Sequence, residues 1–136
     1  MTDDRNEVRV LLAEDSRFAR REIARDLRAV PGVEHVVAVG SVAEAREVLA
    51  KNGIDVCVLD FRLGDGTALD VLRDRSTPSR TPPATFVVFT GAPSAPLRRR
   101  CLEAGADHFL VKPDDMKTLL ALVKRIAGRQ GPSPPA

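Results

Sequence analysis

Short apolar segments alternate five times with segments of helical periodicity, and this alternation restricts the fold more than any other feature of the chain. The apolar segments are predicted strands, because they are rich in β-branched residues and end at turn residues; they span 8–13, 34–39, 54–59, 85–89 and 107–111. Apolar residues at helical spacing follow each strand and predict helices over about 17–29, 42–51, 67–74, 96–104 and 116–127. Such alternation indicates a parallel sheet covered on both faces. We therefore predict an α/β, flavodoxin-like fold: a five-stranded parallel sheet in the order 2-1-3-4-5, flanked by five helices.

The predicted elements fill most of the 136 residues, so we expect a single domain over residues 8–127. Residues 1–7 are polar and are predicted to form an N-terminal tail. Residues 128–136 are rich in proline and glycine and poor in apolar side chains, which predicts a disordered tail or a linker.

The composition argues against several classes of partner. The 21 basic residues oppose 19 acidic ones, and the net charge of +2 lacks the strong basic excess usual in nucleic-acid-binding proteins. No apolar run approaches the roughly 18 residues of a membrane span, and the N-terminus lacks the apolar core of a signal peptide. We therefore expect a cytoplasmic protein without direct nucleic-acid or membrane partners, in which Cys57 is a small buried side chain.

Polar side chains follow four of the five predicted strands, at the point where each strand ends. Asp60 follows the buried strand 54–59 and opens a loop that contains two glycines. Because the carboxyl ends of parallel strands share one edge of a sheet, the predicted fold brings these side chains together. The residues at this edge are Glu14, Asp15, Asp60, Thr90, Gly91 and Lys112.

The residue types at this edge fit phosphoryl transfer. Carboxylates packed together raise one another's pKa unless a cation compensates, and Mg²⁺ binds carboxylate oxygens, waters and phosphate oxygens. The ammonium of Lys112, the hydroxyl of Thr90 and the unobstructed N–H of Gly91 can meet phosphoryl oxygens. A carboxylate nucleophile in such a site forms an aspartyl phosphate. Asp60 is the best candidate, because it stands alone on the central strand.

Each of these residues also has an ordinary structural interpretation. Asp60 could cap the turn after its strand, since Asp is common in turns. Glu14 and Asp15 could be a solvated pair that favours the dipole of the next helix, while Thr90 could be a turn residue and Lys112 a surface lysine. We favour the phosphoryl-transfer site because suitable residues stand at four separate strand ends.

Other polar residues are interpreted structurally. His35 and His108 are assigned to structural or surface positions rather than to catalysis. The run Arg98-Arg99-Arg100 is assigned to a solvated helix face rather than to a partner contact. No spacing of Cys and His suggests zinc.

Taken in order, these motifs resemble the receiver domain of two-component response regulators, over about residues 8–127. The motifs are Glu14-Asp15, Asp60, Thr90-Gly91 and the segment GADHFLVKP at 105–113. The resemblance implies that Asp60 is the phosphoacceptor, which takes a phosphoryl group from the phosphohistidine of a sensor histidine kinase or a histidine phosphotransfer protein. It also implies Mg²⁺ as the cofactor.

The resemblance further implies four metal ligands. Asp15 binds Mg²⁺ directly, beside Asp60, and Glu14 assists, often through water. The backbone carbonyl of Arg62 is the remaining ligand.

It implies a catalytic and switching set as well. Thr90 matches the switch hydroxyl and Lys112 the lysine that serves catalysis, while Gly91 contacts the phosphoryl group. Phe109 matches an aromatic switch, and the Lys112-Pro113 peptide is commonly cis in the family.

Phosphorylation would change the protein's binding surface. It adds about −1.5 to −2 charges and three acceptor oxygens, on which we expect Thr90 and Lys112 to close while Phe109 turns inward. The face made by the fourth helix, fifth strand and fifth helix would then change its affinity for a downstream protein target. A phosphorylation-dependent homodimer is a further implied partner, and the chain is not expected to be a turnover enzyme.

Three departures from the family pattern stand out. Leu63-Gly64 replaces a common proline after the phosphorylation site, which predicts a looser loop. Arg62 is a bulky cation beside the site and bears on the lifetime of the phosphoryl group. Pro93 and Pro96 restrict the loop that follows the fourth strand.

Two other function classes remain open. Haloacid-dehalogenase-type phosphatases also use an aspartyl nucleophile and Mg²⁺, but they usually carry a second Asp at the position of Arg62. A receiver-shaped scaffold that works without phosphate is the other class, and the complete acidic set argues against it. No output-domain pattern is visible, so the chain is either a single-domain regulator or part of a longer one.

Overall fold

The computed structural model describes residues 8–51, 53–74 and 84–130. The predicted N-terminal tail, residues 1–7, lies outside these ranges, and so do residues 131–136 of the predicted C-terminal tail. Strands and helices alternate through the described residues. The strands are β1 (Val8–Ala13), β2 (Val33–Val39), β3 (Val56–Leu59), β4 (Thr85–Thr90) and β5 (His108–Val111). The helices are α1 (Arg17–Arg28), α2 (Val42–Lys51), α3 (Ala68–Asp74), α4 (Ala95–Glu103) and α5 (Met116–Gln130).

The five strands form one parallel sheet in the order β2-β1-β3-β4-β5. This order and the flanking helices confirm the predicted fold. The last residues of neighbouring strands are in register, with Ala13 beside Leu59 and Thr90 beside Val111. The strands β1 and β3 therefore end together, as do β4 and β5, while Thr90 lies two residues beyond the end of β3, which pairs with Val88. The residues that follow these four strands share one edge of the sheet.

Both faces of the sheet are covered, which explains why the strand sequences are apolar without alternation. In β3, Cys57 and Leu59 pack into a core layer with α2, α3 and α4, whereas Val56 and Val58 pack into a layer with α1 and α5. All four side chains are fully buried, and the predicted burial of Cys57 is confirmed. Burial on both faces fixes β3, so Asp60 emerges from the most enclosed strand of the sheet.

Local hydrogen bonds set the helix starts. Ser16 caps α1, with its hydroxyl accepting from the N–H of Ala19 at 3.2 Å. At α2 the predicted pair caps the helix: Ser41 Oγ accepts from the N–H of Glu44 at 3.1 Å. The return bond differs from a capping box, because Glu44 Oε1 accepts from the N–H of Gly40 at 2.9 Å, one residue before the cap. These caps fix where the chain leaves each strand-end loop.

The structure departs from the predictions most clearly at the end of α5, at the start of β3 and in the exposure of Phe18. Helix α5 continues to Gln130, beyond the tail predicted to start at residue 128, because extending a formed helix is easy and Arg and Gln are good helix formers. Strand β3 begins at Val56 rather than at residue 54. Phe18, predicted beside the apolar stripe of α1, is 75% exposed.

Among the helices of the described ranges, none combines the length and hydrophobicity that a membrane span requires.

Candidate functional site

A cavity of about 710 Å³ opens at the carboxyl edge of the sheet. The predicted site residues that line it are Glu14, Asp15, Asp60, Arg62, Thr90, Gly91 and Lys112. Carboxylate oxygens of Glu14, Asp15 and Asp60 lie within 4.8 Å of one another. Phe109, the predicted aromatic switch, is not part of the lining; it is half-buried against the core layer of α2, α3 and α4.

Lys112 joins two of the three carboxylates. Its Nζ donates to Glu14 Oε1 and, at 3.1 Å, to Asp60 Oδ2. Three carboxylates carry three negative charges against the single positive charge of Lys112, so the cluster keeps a negative excess. Oxygen donors with a negative excess are what a hard divalent cation requires.

Glu14, which is buried, and Lys112, which is partly buried, perturb each other's protonation. Burial raises the pKa of Glu14; the hydrogen bond from Lys112 opposes the rise, and the negative charge of Asp60 adds to it. Burial alone would lower the pKa of Lys112, but its hydrogen bond to Glu14 and the charge of Asp60 outweigh burial and raise it. Lys112 therefore stays a cation at neutral pH.

Asp60 is held in place from both sides of its carboxylate. Oδ1 accepts from the N–H of Phe61 at 2.7 Å, and Oδ2 accepts from Lys112. The Asp60 N–H donates to the carbonyl of Ala13 at 2.9 Å, which fixes the residue beside the end of β1. The side chain is 16% exposed, so it is anchored but can be reached from the cavity.

The loop between β1 and α1 separates two neighbouring acids. Glu14 is only 2% exposed, and its Oε2 accepts from the N–H of Ser16 at 3.1 Å. Its carbonyl accepts from Arg20 Nη1 at 2.8 Å. Asp15, the next residue, is exposed to the cavity. The loop thus offers one enclosed and one accessible carboxylate.

The loop after β4 has a buried hydroxyl and an open backbone. Thr90 is 3% exposed, and its Oγ1 accepts from the N–H of Ala92 at 3.3 Å. The Thr90 carbonyl accepts from the N–H of Lys112 at 2.8 Å, which links β4 to the end of β5. A Cβ placed on Gly91 would meet only the Cβ of Lys112, at 3.9 Å. The backbone at Gly91 is therefore accessible from the cavity.

The family model of the response regulator receiver domain matches residues 10–124 of this chain. The chain belongs to the response regulator receiver domain family. The Lys112-Pro113 peptide is cis, as the resemblance implied.

Individual relatives agree with this assignment. Response regulator MprA from Mycobacterium sp. (strain KMS) is 35% identical over 134 residues, which cover 95% of this chain and 56% of that protein. The DNA-binding transcriptional activator DevR/DosR from Mycobacterium tuberculosis is 35% identical over 123 residues, which cover 90% of this chain and 56% of that protein. The chain therefore spans about half the length of these relatives. The solved receiver domain of a putative LuxO repressor protein from Vibrio parahaemolyticus has a TM-score of 0.76 and 25% identity, covering 91% of this chain and 95% of that one.

Two features of the receiver domain were not predicted from the sequence: a place for Arg100 in the cavity lining and the hydrogen bonds of Asp65 to α2. Arg98, Arg99 and Arg100 are all exposed, as predicted for a solvated helix face, and Arg100 also lines the cavity. Asp65, which sequence placed only in the loop after Asp60, accepts hydrogen bonds from the first turn of α2. His35 is exposed and His108 is half-buried, and neither lines the cavity.

The loop between β3 and α3 is compact. The N–H of Leu63 donates to the carbonyl of Gly66 at 3.0 Å, and the N–H of Asp65 donates to the carbonyl of Leu63 at 2.8 Å. Gly64 has φ +78°, a conformation closed to the proline that the family often has there. Leu63 is buried beneath the turn. That Gly64 makes this loop looser stays a prediction.

Proposed function

We propose that the chain is a phosphoacceptor, in which Asp60 takes a phosphoryl group from the phosphohistidine of a sensor histidine kinase or a histidine phosphotransfer protein. The observation that carries the proposal is the contact of Lys112 Nζ with Asp60 Oδ2, at 3.1 Å, inside a three-carboxylate cluster that lines a cavity. A nucleophile held in this way has a cation already placed for the charge that develops on the phosphoryl oxygens.

Four groups would hold Mg²⁺: the carboxylates of Glu14, Asp15 and Asp60 and the backbone carbonyl of Arg62. Their support is the clustering of the carboxylate oxygens within 4.8 Å and the negative excess that Lys112 leaves. When bound, Mg²⁺ neutralises charge on the phosphoryl oxygens.

In the transfer step, a carboxylate oxygen of Asp60 forms a bond to phosphorus while the P–N bond to the donor histidine breaks. The electron pair of that bond leaves on the imidazole nitrogen. The N–H of Phe61 and the ammonium of Lys112 keep the carboxylate oriented during the attack. Lys112, the hydroxyl of Thr90 and the N–H of Gly91 then meet the transferred oxygens.

Signalling follows from the movement of Thr90 toward the phosphoryl group. Its Oγ1 then loses the hydrogen bond from the N–H of Ala92. Its carbonyl, which accepts a hydrogen bond from the N–H of Lys112, transmits the movement to the end of β5. Phe109 lies opposite Val88 in the β4–β5 pair, two residues before the Thr90 pairing. The surface of α4, β5 and α5 would thereby control a downstream protein, as in other two-state switches.

Intact-protein mass spectrometry tests the proposed function. After incubation with acetyl phosphate and Mg²⁺, we expect a mass gain of one phosphoryl group, and no gain when EDTA is present. Turnover of p-nitrophenyl phosphate would instead favour the hydrolase. No mass gain together with no binding of beryllofluoride would favour the phosphate-independent scaffold.

Replacement of Phe109 by Ala should separate phosphorylation from switching. We expect acetyl phosphate to label Phe109→Ala within about twofold of the wild type, because Phe109 lies outside the cavity lining. Amide chemical-shift changes across α4, β5 and α5 on addition of beryllofluoride should shrink, since the side chain that fills the space behind Thr90 is gone. The half-buried ring also predicts a loss of about 2 kcal/mol in the free energy of unfolding.

Phe18→Ala is the matched control for this variant, because Phe18 is 75% exposed. It should keep both the labelling and the full shift changes. A Phe109→Ala protein with the complete wild-type response would remove Phe109 from the switch.

A further inference from the structure

The first turn of α2 is tied to the loop that follows Asp60. Asp65 Oδ1 accepts from the N–H of Val42 at 2.7 Å, and Asp65 Oδ2 accepts from the N–H of Ala43 at 3.1 Å. These are N–H groups that a helix start leaves without partners inside the helix. The local cap is already supplied by Ser41, so Asp65 adds a second cap from 22 and 23 residues further along the chain.

Asp65 and Arg62 belong to the same short hydrogen-bonded turn. The N–H of Asp65 donates to the carbonyl of Leu63, and Arg62 pairs with Thr67 in an antiparallel bridge. The turn also lies directly against α2, since a Cβ on Gly66 would come within 3.1 Å of Val42 Cγ2. A shift of Asp65 away from α2 would therefore move the backbone at Arg62.

The same end of α2 lies near Arg20, which supports the loop that carries the other acids. Arg20 Nη1 donates to the carbonyl of Glu14, and it passes so close to Gly40 that a Cβ there would lie 2.6 Å from it. Gly40 immediately precedes Ser41, the capping residue of α2. The start of α2 is thus hydrogen-bonded to the turn after Asp60 through Asp65, and the residue before its cap lies beside Arg20, which reaches the loop after β1.

We propose that Asp65 is a positioning residue for Mg²⁺, because its hydrogen bonds to α2 anchor the turn that follows Arg62, whose backbone carbonyl is one of the proposed ligands. The inference rests on the proposed function, since it concerns the metal affinity of that site. Groups that orient metal ligands are worth about 10-fold to 100-fold in affinity. Asp65 acts on one ligand of several, so the lower end of that range applies.

Titration of the full chain with Mg²⁺ by calorimetry tests the role. Asp65→Ala should raise the Mg²⁺ dissociation constant about tenfold. Asp65→Asn should recover part of the loss, because an amide oxygen can still accept from the N–H of Val42. At Mg²⁺ concentrations well above the new dissociation constant, labelling of Asp65→Ala by acetyl phosphate should return to the wild-type level, since the nucleophile and Lys112 are unchanged.

Asp74→Ala is the matched control. Asp74 Oδ2 accepts from Arg46 Nε of α2 at 2.6 Å, so this variant also removes an attachment of α2, but at a distance from the turn. It should bind Mg²⁺ within about twofold of the wild type. Urea unfolding of each variant identifies a titration temperature at which all of them are folded. If Asp65→Ala does not fold, the Mg²⁺ dissociation constant of Asp65→Asn tests the role instead.

Three results would overturn the positioning role alone, and the first two are wild-type affinity in Asp65→Ala and an equal loss in Asp74→Ala. Labelling of Asp65→Ala that stays low at saturating Mg²⁺ would also overturn it, because the defect would then lie beyond metal binding. A wild-type protein that binds no Mg²⁺ would overturn both this role and the proposed function.

Discussion

Asp60→Asn is expected to abolish stable phosphorylation while leaving the fold intact. An amide offers no anionic oxygen to attack phosphorus, and losing a covalent nucleophile costs several orders of magnitude in rate, so labelling should fall by more than about 100-fold. The amide oxygen can still accept from the N–H of Phe61 or from Lys112, which keeps the local geometry. Intact mass after incubation with acetyl phosphate and Mg²⁺ measures the effect.

The same substitution also tests the electrostatics of the cluster. The charge of Asp60 contributes to the raised pKa of Glu14, so its removal should lower that pKa toward the usual value. The free energy of unfolding in urea should then stay equal to that of the wild type or rise slightly, since one repulsive charge is lost.

Asp74→Asn makes the identical chemical change at an exposed residue of α3 and should be labelled like the wild type. Normal labelling of Asp60→Asn would show that another carboxylate is the acceptor. Peptide mapping of the labelled protein would then identify it, with Asp15 the first to examine because it is the exposed acid of the cluster.

The convergence of the site residues was predictable because it follows from topology alone. Once five strands are parallel and ordered, Asp60 and Lys112 must meet at one edge, whatever their side-chain conformations. The cap formed by Ser41 and Glu44 was predictable for a different reason, since its partners are three residues apart in sequence. Local periodicity and strand order are therefore enough to predict the fold and which residues meet at the site.

The burial and the hydrogen-bond partners of the individual site residues were not predictable. Glu14 and Asp15 are adjacent acids, yet one is enclosed by Lys112 and Ser16 and the other faces the cavity, which depends on how the chain turns after β1. The bonds of Asp65 to α2 join residues more than twenty positions apart, and no sequence period relates them. Arg100 is exposed, as predicted, but its place in the cavity lining was not predictable, because a charged helix run does not reveal which of its members borders a cavity.

Lys112→Ala should have opposite effects on metal binding and on phosphorylation. Removing the ammonium leaves three carboxylates without their cation, so the Mg²⁺ dissociation constant should fall roughly three- to tenfold. Phosphorylation by acetyl phosphate should nevertheless slow by about 100-fold, because the donor aimed at the developing phosphoryl charge is gone. Calorimetric titration and the time course of intact mass measure the two quantities on the same protein.

Without Mg²⁺, Lys112→Ala should also be less stable, because Glu14 is 2% exposed and loses its charged partner. We expect a loss of about 2 kcal/mol in the free energy of unfolding, below the usual value for a fully buried pair because Lys112 is 21% exposed. In Lys112→Ala the rise in the pKa of Glu14 loses the opposing effect of the lysine. Above pH 4.5, the ordinary pKa of Glu, the folded variant therefore retains a proton on Glu14 that its unfolded chain has released, and the loss of stability should grow with pH.

Lys117→Ala, at an exposed position in the first turn of α5, is the matched control and should change none of these quantities. Weaker Mg²⁺ binding in Lys112→Ala would mean that the lysine supports the metal site structurally instead of opposing the cation. Unchanged phosphorylation would remove Lys112 from the transfer step. Tighter metal binding combined with slower transfer is the one result that requires Lys112 to act on the phosphoryl group itself.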